Sequence, residues 1–294
     1  MRYANGNAFR RALEDRLNRQ SQGAPASLVR LRKLVAFDRL LARLRHVAPE
    51  RWLLKGALAI DYRINGQYRT TRDIDLWRPD GPDEALSDFL AAQLVDLGDY
   101  FEFRIHPVAR PLLEDADAAS RYQVVARLAD RRFEDFHIDV GFIDRSVLEP
   151  ATITGPDLLS FAEIEPVTVR AIPLEQQIAE KVHAYCQTYA DGRTNSRVKD
   201  LFDLVLVRSL KPYRASDLRL TLVSTFEVRG ATPPRSFPKP PEAWVVPFGR
   251  LANEVGMSAD LALAYDLTAA FLDPVLSNSI NEDARWSAER SNWT

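Results

Sequence analysis

The feature that most constrains this chain is the run Asp73-Ile74-Asp75-Leu76-Trp77. Carboxylate and apolar residues alternate, the period-two pattern of a strand with one buried and one polar face. Asp73 and Asp75 therefore leave the same side of the strand. Two carboxylates held that close raise each other's pKa unless a cation neutralises them. Mg²⁺ suits such a pair, because it binds one or two carboxylates and bridges to substrate phosphates. A third acid, Asp139, lies in His137-Ile138-Asp139-Val140, which also reads as strand. If the two strands are neighbours, three carboxylates converge, a set able to hold two metals about 3.5–4 Å apart. Alone, an Asp-x-Asp pair reads as surface charge; its neighbours along the chain give it meaning.

Before it come Trp52-Leu53-Leu54, a short apolar run, then the turn Lys55-Gly56, a helix predicted over 57–64, and Arg69 and Thr71. Glycine lets a backbone approach a phosphate, a following helix offers free N–H groups, and Lys55 adds a point charge. Lys55, Gly56, Arg69 and Thr71 are thus candidate nucleotide-binding residues. Farther on, Lys181 sits on a helix predicted over 174–189, beside an apolar stripe of Ile178, Val182 and Tyr185, and Lys199-Asp200-Leu201-Phe202-Asp203-Leu204 lies on a helix predicted over 197–207. Lys181 is a candidate triphosphate ligand with Asp203 orienting it or receiving a substrate donor; the alternative is an interhelical ion pair.

The order strand, glycine turn, helix, Asp-x-Asp strand and later lone Asp is similar to that of the polymerase-β-like nucleotidyltransferases. Lys55-Gly56, Arg69-x-Thr71-x-Asp73-Ile74-Asp75, Ala179-Glu180-Lys181-Val182-His183-Ala184 and Arg197-x-Lys199-Asp200-Leu201-x-Asp203-Leu204 together resemble the AbiE-type abortive-infection toxins, the toxin half of a type IV toxin–antitoxin pair. The resemblance implies an α/β fold with a mixed sheet, and Mg²⁺-dependent transfer of a nucleoside monophosphate from an NTP to the 3′ end of tRNA, blocking translation. It also implies a cognate antitoxin. Lys55, Asp73, Lys181 and Asp203 fall on the family's essential positions, Asp75 on the second acid of its first motif, and Asp139 on the third acid of the wider superfamily. The chain departs at Gly56-Ala57-Leu58, where the family usually writes Gly-Gly-Ser/Thr. Two other readings stand beside this one: nucleotidylation of a protein side chain, and a catalytically silent RNA- or protein-binding module.

Charge adds a possible RNA surface. Residues 1–55 hold thirteen Lys and Arg against four Asp and Glu, whereas residues 80–165 hold nineteen acids against seven bases. Such bipolarity orients a polyanion. On a second helix predicted over 27–45 and capped by Ser27, after a first over 7–19, Arg30, Lys33, Arg39, Arg43 and Arg45 are expected on the exposed side, with the first four contacting tRNA. The alternative is a solvated basic face. A helical extension over 1–50, a nucleotidyltransferase core over 51–172 and a helical region over 173–294 are expected. Within the last, Thr232 to Pro247 reads as an ordered loop anchored by Phe237, Trp244 and Phe248, and a last helix is predicted over 258–272.

One cysteine, Cys186, excludes an internal disulfide and points to a reducing compartment, the cytoplasm. No apolar segment is long enough for a transmembrane helix, and the polar, basic N-terminus is not expected to be a secretory signal. His137 and His183 lack a second ligand at metal spacing and read as packing or hydrogen-bonding residues. Thr71, two residues before Asp73, is also a candidate control point, because a phosphate there would compete with NTP for Lys55, Lys181 and the metal.

Overall fold

The alternation at 73–77 forms the central strand of a seven-stranded mixed sheet. The computed structural model describes residues 1–65, 69–108, 119–142, 147–187 and 197–294. The described residues divide into two compact units. The first runs to residue 171; the second holds 172 onward together with Arg69 and residues 147–149.

In the first unit, α1 (Gly6–Gln20) and α2 (Pro25–Val47) precede β1 (Leu53–Lys55) and α3 (Gly56–Arg63). Then come β2 (Asp73–Trp77), α4 (Pro82–Leu94), β3 (Phe101–Val108), β4 (Ala119–Leu128), β5 (Arg131–Gly141), β6 (Ala151–Thr154) and β7 (Thr168–Ala171). The sheet order is β3-β4-β5-β2-β1-β7-β6, with β2 parallel to β5 and β1 parallel to β7. β4 and β5 close through Ala129 and Asp130, both at positive φ (50° and 60°), the two-residue turn whose twist matches the strands it joins. The even-numbered side chains of β2, β4 and β5 make the apolar face: Ile74, Leu76, Tyr122, Val124, Ile138 and Val140 are buried. α2 and α4 contribute to the same core. Phe37 meets Phe136 edge-on at 4.8 Å, and Phe89 lies 4.6 Å from Tyr122. The odd-numbered face is thereby left for polar residues.

The helix predicted to begin at Ser27 begins at Pro25, which occupies its first turn, where a missing N–H is harmless. The basic residues of α2 are not an exposed stripe. Arg43 is 1% exposed and forks onto Asp99 at 2.6 and 3.0 Å, also donating to the Phe101 carbonyl at 2.7 Å. Arg39 is buried against Asp38, whose other oxygen accepts from the Val167 N–H at 2.8 Å. Lys33 donates to the Asp135 carbonyl at 2.6 Å, and Arg30 is paired with buried Asp61 at 2.8 Å. The expected tRNA-contacting role of Arg30, Lys33, Arg39 and Arg43 is thus corrected: they tie α2 to its neighbours. Of the five, Arg45 is exposed.

The second unit contains α5 (Leu174–Cys186), α6 (Val198–Val207), α7 (Ala215–Val228), α8 (Val245–Glu254), α9 (Leu261–Leu276) and a small hairpin, β8 (Trp286–Ser287) with β9 (Asn292–Trp293). The proline-rich segment is anchored as expected, but in the interior: Phe237, Trp244 and Phe248 are buried, and Phe237 stacks on Tyr185 at 4.4 Å. Its end is not a loop. Pro247 falls in the first turn of α8, a position that tolerates proline. The last helix starts at Leu261, with Asp260 accepting from the Leu263 N–H at 3.0 Å. The last two residues of the helix predicted over 174–189, and residues 190–196 after it, lie outside the described residues. Among the described residues no helix is long and apolar enough to cross a membrane.

Arg43 supplies the direct test of the α2 correction. Arg43→Ala strands Asp99 in the interior and is expected to lower unfolding stability by about 3–5 kcal/mol, read from urea denaturation. An unchanged urea midpoint would return Arg43 to the surface role.

Candidate active site

Strand register sets the site. Lys55 on β1 is opposite Asp75 on β2, Asp75 is opposite Asp139 on β5, and Asp139 is opposite Arg121 on β4. One row across four strands reads cation, carboxylate, carboxylate, cation. The next row of the same face pairs Asp73 with His137, whose Nδ1 is 3.6 Å from Asp73 Oδ1.

The two adjacent acids of the first row are held apart. Asp139 gives both oxygens to Arg121, accepting from Nε at 2.8 Å and Nη2 at 2.6 Å. Asp75 instead packs against the start of α3. A Cβ added at Gly56 would lie 2.0 Å from Asp75 Oδ2, and Gly56 has φ +66°. Only glycine satisfies both the left-handed backbone and the close carboxylate. That carboxylate rests by the positive end of the helix. Arg121 is pushed well above the usual guanidinium range, first by its bond to Asp139 and then by the charges of Asp139, Asp73 and Asp75. It feels all three acids.

The strand of Asp139 does neighbour that of Asp73 and Asp75, with Asp139 in register with Asp75. Among the described residues no group of three or more His, Cys, Asp or Glu side chains is arranged to hold a metal. Asp139 is in register but turned to β4 by Arg121. Asp73 and Asp75, on one face with their oxygens on the same side of the sheet, retain the donor chemistry that fits Mg²⁺. Arg121 escaped the sequence reading, since a lone arginine on a strand has no meaning until its cross-strand partner is known. Thr71 is buried, and its hydroxyl donates to the Asp73 carbonyl at 3.2 Å. It pins the approach to β2.

A second charged cluster stands within the second unit. Lys181 Nζ on α5 meets Asp203 Oδ2 at 2.5 Å and Asp200 Oδ1 at 3.3 Å on α6. Arg69 forks onto Asp203 with two bonds of 3.0 Å. Burial alone would lower the Lys181 ammonium, but Asp203 and Asp200 outweigh it and leave its pKa raised. Burial would raise Asp203, but Lys181 and Arg69 hold it below the usual carboxylate range. Arg69, read as a nucleotide ligand, is spent on Asp203. His183 packs edge-on against Phe226 at 5.0 Å, and Cys186 is half-buried.

Gly56→Ala is expected to displace the Asp75 carboxylate and remove activity, while Gly141→Ala, whose added methyl would sit 3.6 Å from Lys55 Nζ, is expected to be tolerated. Activity and melting measured on the same samples check both. Asp203→Ala leaves two buried cations and should destabilise more than Lys181→Ala, by about 3–5 kcal/mol. Because Asp203 is depressed, its contribution is present above about pH 4 and fades as pH falls through its folded value. Asp203→Asn should flatten that acid limb in a pH series of urea titrations.

Solved structures with this fold include MenT4, a nucleotidyltransferase toxin from Mycobacterium tuberculosis H37Rv, at 16% identity and a TM-score of 0.59, over 95% of this chain and 92% of that one. JHP933 from Helicobacter pylori aligns at 17% identity and a TM-score of 0.46, over 84% of this chain and 94% of that one. No curated protein matches by sequence. The family model for the nucleotidyl transferase AbiEii toxins of type IV toxin–antitoxin systems matches residues 39–288, and the chain belongs to that family.

Proposed function

We propose that this member of the toxin family transfers a nucleoside monophosphate from an NTP to the 3′ end of tRNA in a Mg²⁺-dependent reaction, and that a cognate antitoxin restrains it in the cytoplasm. The observation that carries the reading is the polar face of β2, where Asp73 and Asp75 point the same way with Lys55 in register beside them. Mg²⁺ bound by Asp73 and Asp75 would neutralise phosphate oxygens and ease departure of pyrophosphate.

The chain's own groups do the rest. Lys55 contributes a positive charge beside the carboxylates, and Lys181, paired with Asp203, is the residue that the family resemblance assigns to the triphosphate. The RNA 3′-hydroxyl bonds to the α-phosphorus as the bond to pyrophosphate breaks, and Asp139 takes its proton. Positioning and charge stabilisation supply most of the acceleration. The tRNA acceptor follows from the family resemblance, and α2 is no longer part of the argument. Ala57 and Leu58 are both buried, so the departure from the family's Gly-Ser/Thr wording has put core side chains in the first turn of α3. Phosphate recognition at that turn then rests on backbone groups.

The test incubates the protein with total tRNA, Mg²⁺ and each α-labelled NTP in turn. Label is expected in tRNA, falling by about 10²–10³-fold in Asp73→Asn, which should fold normally. Label in a protein would assign a protein acceptor, and no label with any NTP would leave a silent binding module.

A further inference from the structure

Arg121 is the one member of the charged row that neither the sequence pattern nor the proposed chemistry uses. It is not a chance surface contact. β4 and β5 are paired along their length and joined by a tight turn, so Arg121 is held opposite Asp139 by register. Both of its bonds go to the one carboxylate, in the fork geometry that makes Arg–carboxylate pairs short and directional. Asp139 is thereby drawn toward β4, while Asp75 packs against Gly56 on the other side.

Charge counting gives this arrangement a consequence. Three carboxylates, Asp73, Asp75 and Asp139, share the face with two permanent cations, Lys55 and Arg121. These five groups carry a single excess negative charge. One dication already over-balances it. A second would add charge next to Arg121 with no free carboxylate to receive it.

We propose that Arg121 is a built-in counter-ion that takes Asp139 out of the metal-ligand set and fixes the nucleotide-free site at one divalent cation, bound by Asp73 and Asp75. Arg121 is thus a positioning residue that acts through Asp139. The proposal rests on the reading of Asp73 and Asp75 as the metal-binding pair.

Mn²⁺ alone is the probe, with bound ions counted from loss of the free-ion electron paramagnetic resonance signal in the absence of nucleotide. The wild-type chain is expected to bind one Mn²⁺ and Arg121→Gln two, with Arg121→Gln/Asp139→Asn returning to one. Arg121→Lys, which keeps the charge, should stay at one. Circular dichroism establishes that each variant is folded. Should Arg121→Gln fail to fold, Asp139→Asn decides: its Mn²⁺ binding should match wild type, because Asp139 is not a ligand. Two ions in the wild type, one ion in folded Arg121→Gln, or a lost ion in Asp139→Asn would each overturn the proposal while leaving the Asp73–Asp75 pair intact. No ion in the wild type would remove that pair's metal role, and the proposal with it.

Discussion

Asp75 and Asp139 are register partners on adjacent parallel strands, whose backbones run about 4.8 Å apart. Two carboxylates in that relation repel, and the sheet around them is arranged to manage it. Lys55 flanks one acid and Arg121 the other, both delivered by strand register. Gly56 leaves room for the Asp75 carboxylate at the start of α3, and no residue with a Cβ would fit there. Asp73, in the next row, has His137 opposite it. Asp73 is thus placed next to the crowded pair, on the same face of the sheet.

The apolar side of the same strands explains why that register is stable. Every second residue of β2, and of β5 from Phe136 to Val140, is buried, so a one-residue slip would bring the acids into the core. Helix α2 supports the arrangement from behind with aromatic contact and with ion pairs that reach Asp99, Asp61 and the carbonyls of Asp135 and Phe101. These are buried pairs, worth little as net stabilisation yet damaging when one partner is lost. In the second unit a comparable logic holds Asp203 between Lys181 and Arg69, fully buried and doubly neutralised.

Much of this was legible in the residues. The period-two run at 73–77 located its strand at both ends, because five alternating residues leave no second interpretation. The mixed α/β sheet was expected and is present, with the Asp139 strand beside β2. What failed were inferences that needed a partner's position. The cations of α2 looked like a surface because their acceptors lie far along the chain, Asp99 being 56 residues from Arg43. Arg121 was invisible for the same reason. β6, an edge strand of Ala-Thr-Ile-Thr, has too little apolar alternation to stand out, and prolines hid α8 although first-turn proline does not prevent a helix. The contact of Lys181 with Asp203 is common to both readings of those residue types, a lysine oriented toward triphosphate and an interhelical ion pair.

The claim on which the account turns is that Asp73 and Asp75 bind the divalent cation that accompanies the nucleotide. Anomalous diffraction from crystals grown with Mn²⁺ and a non-hydrolysable NTP locates that ion without relying on turnover. The account predicts a peak within coordination distance of both carboxylates, with the triphosphate on the same ion. A peak away from Asp73 and Asp75, with nucleotide bound elsewhere, would contradict it.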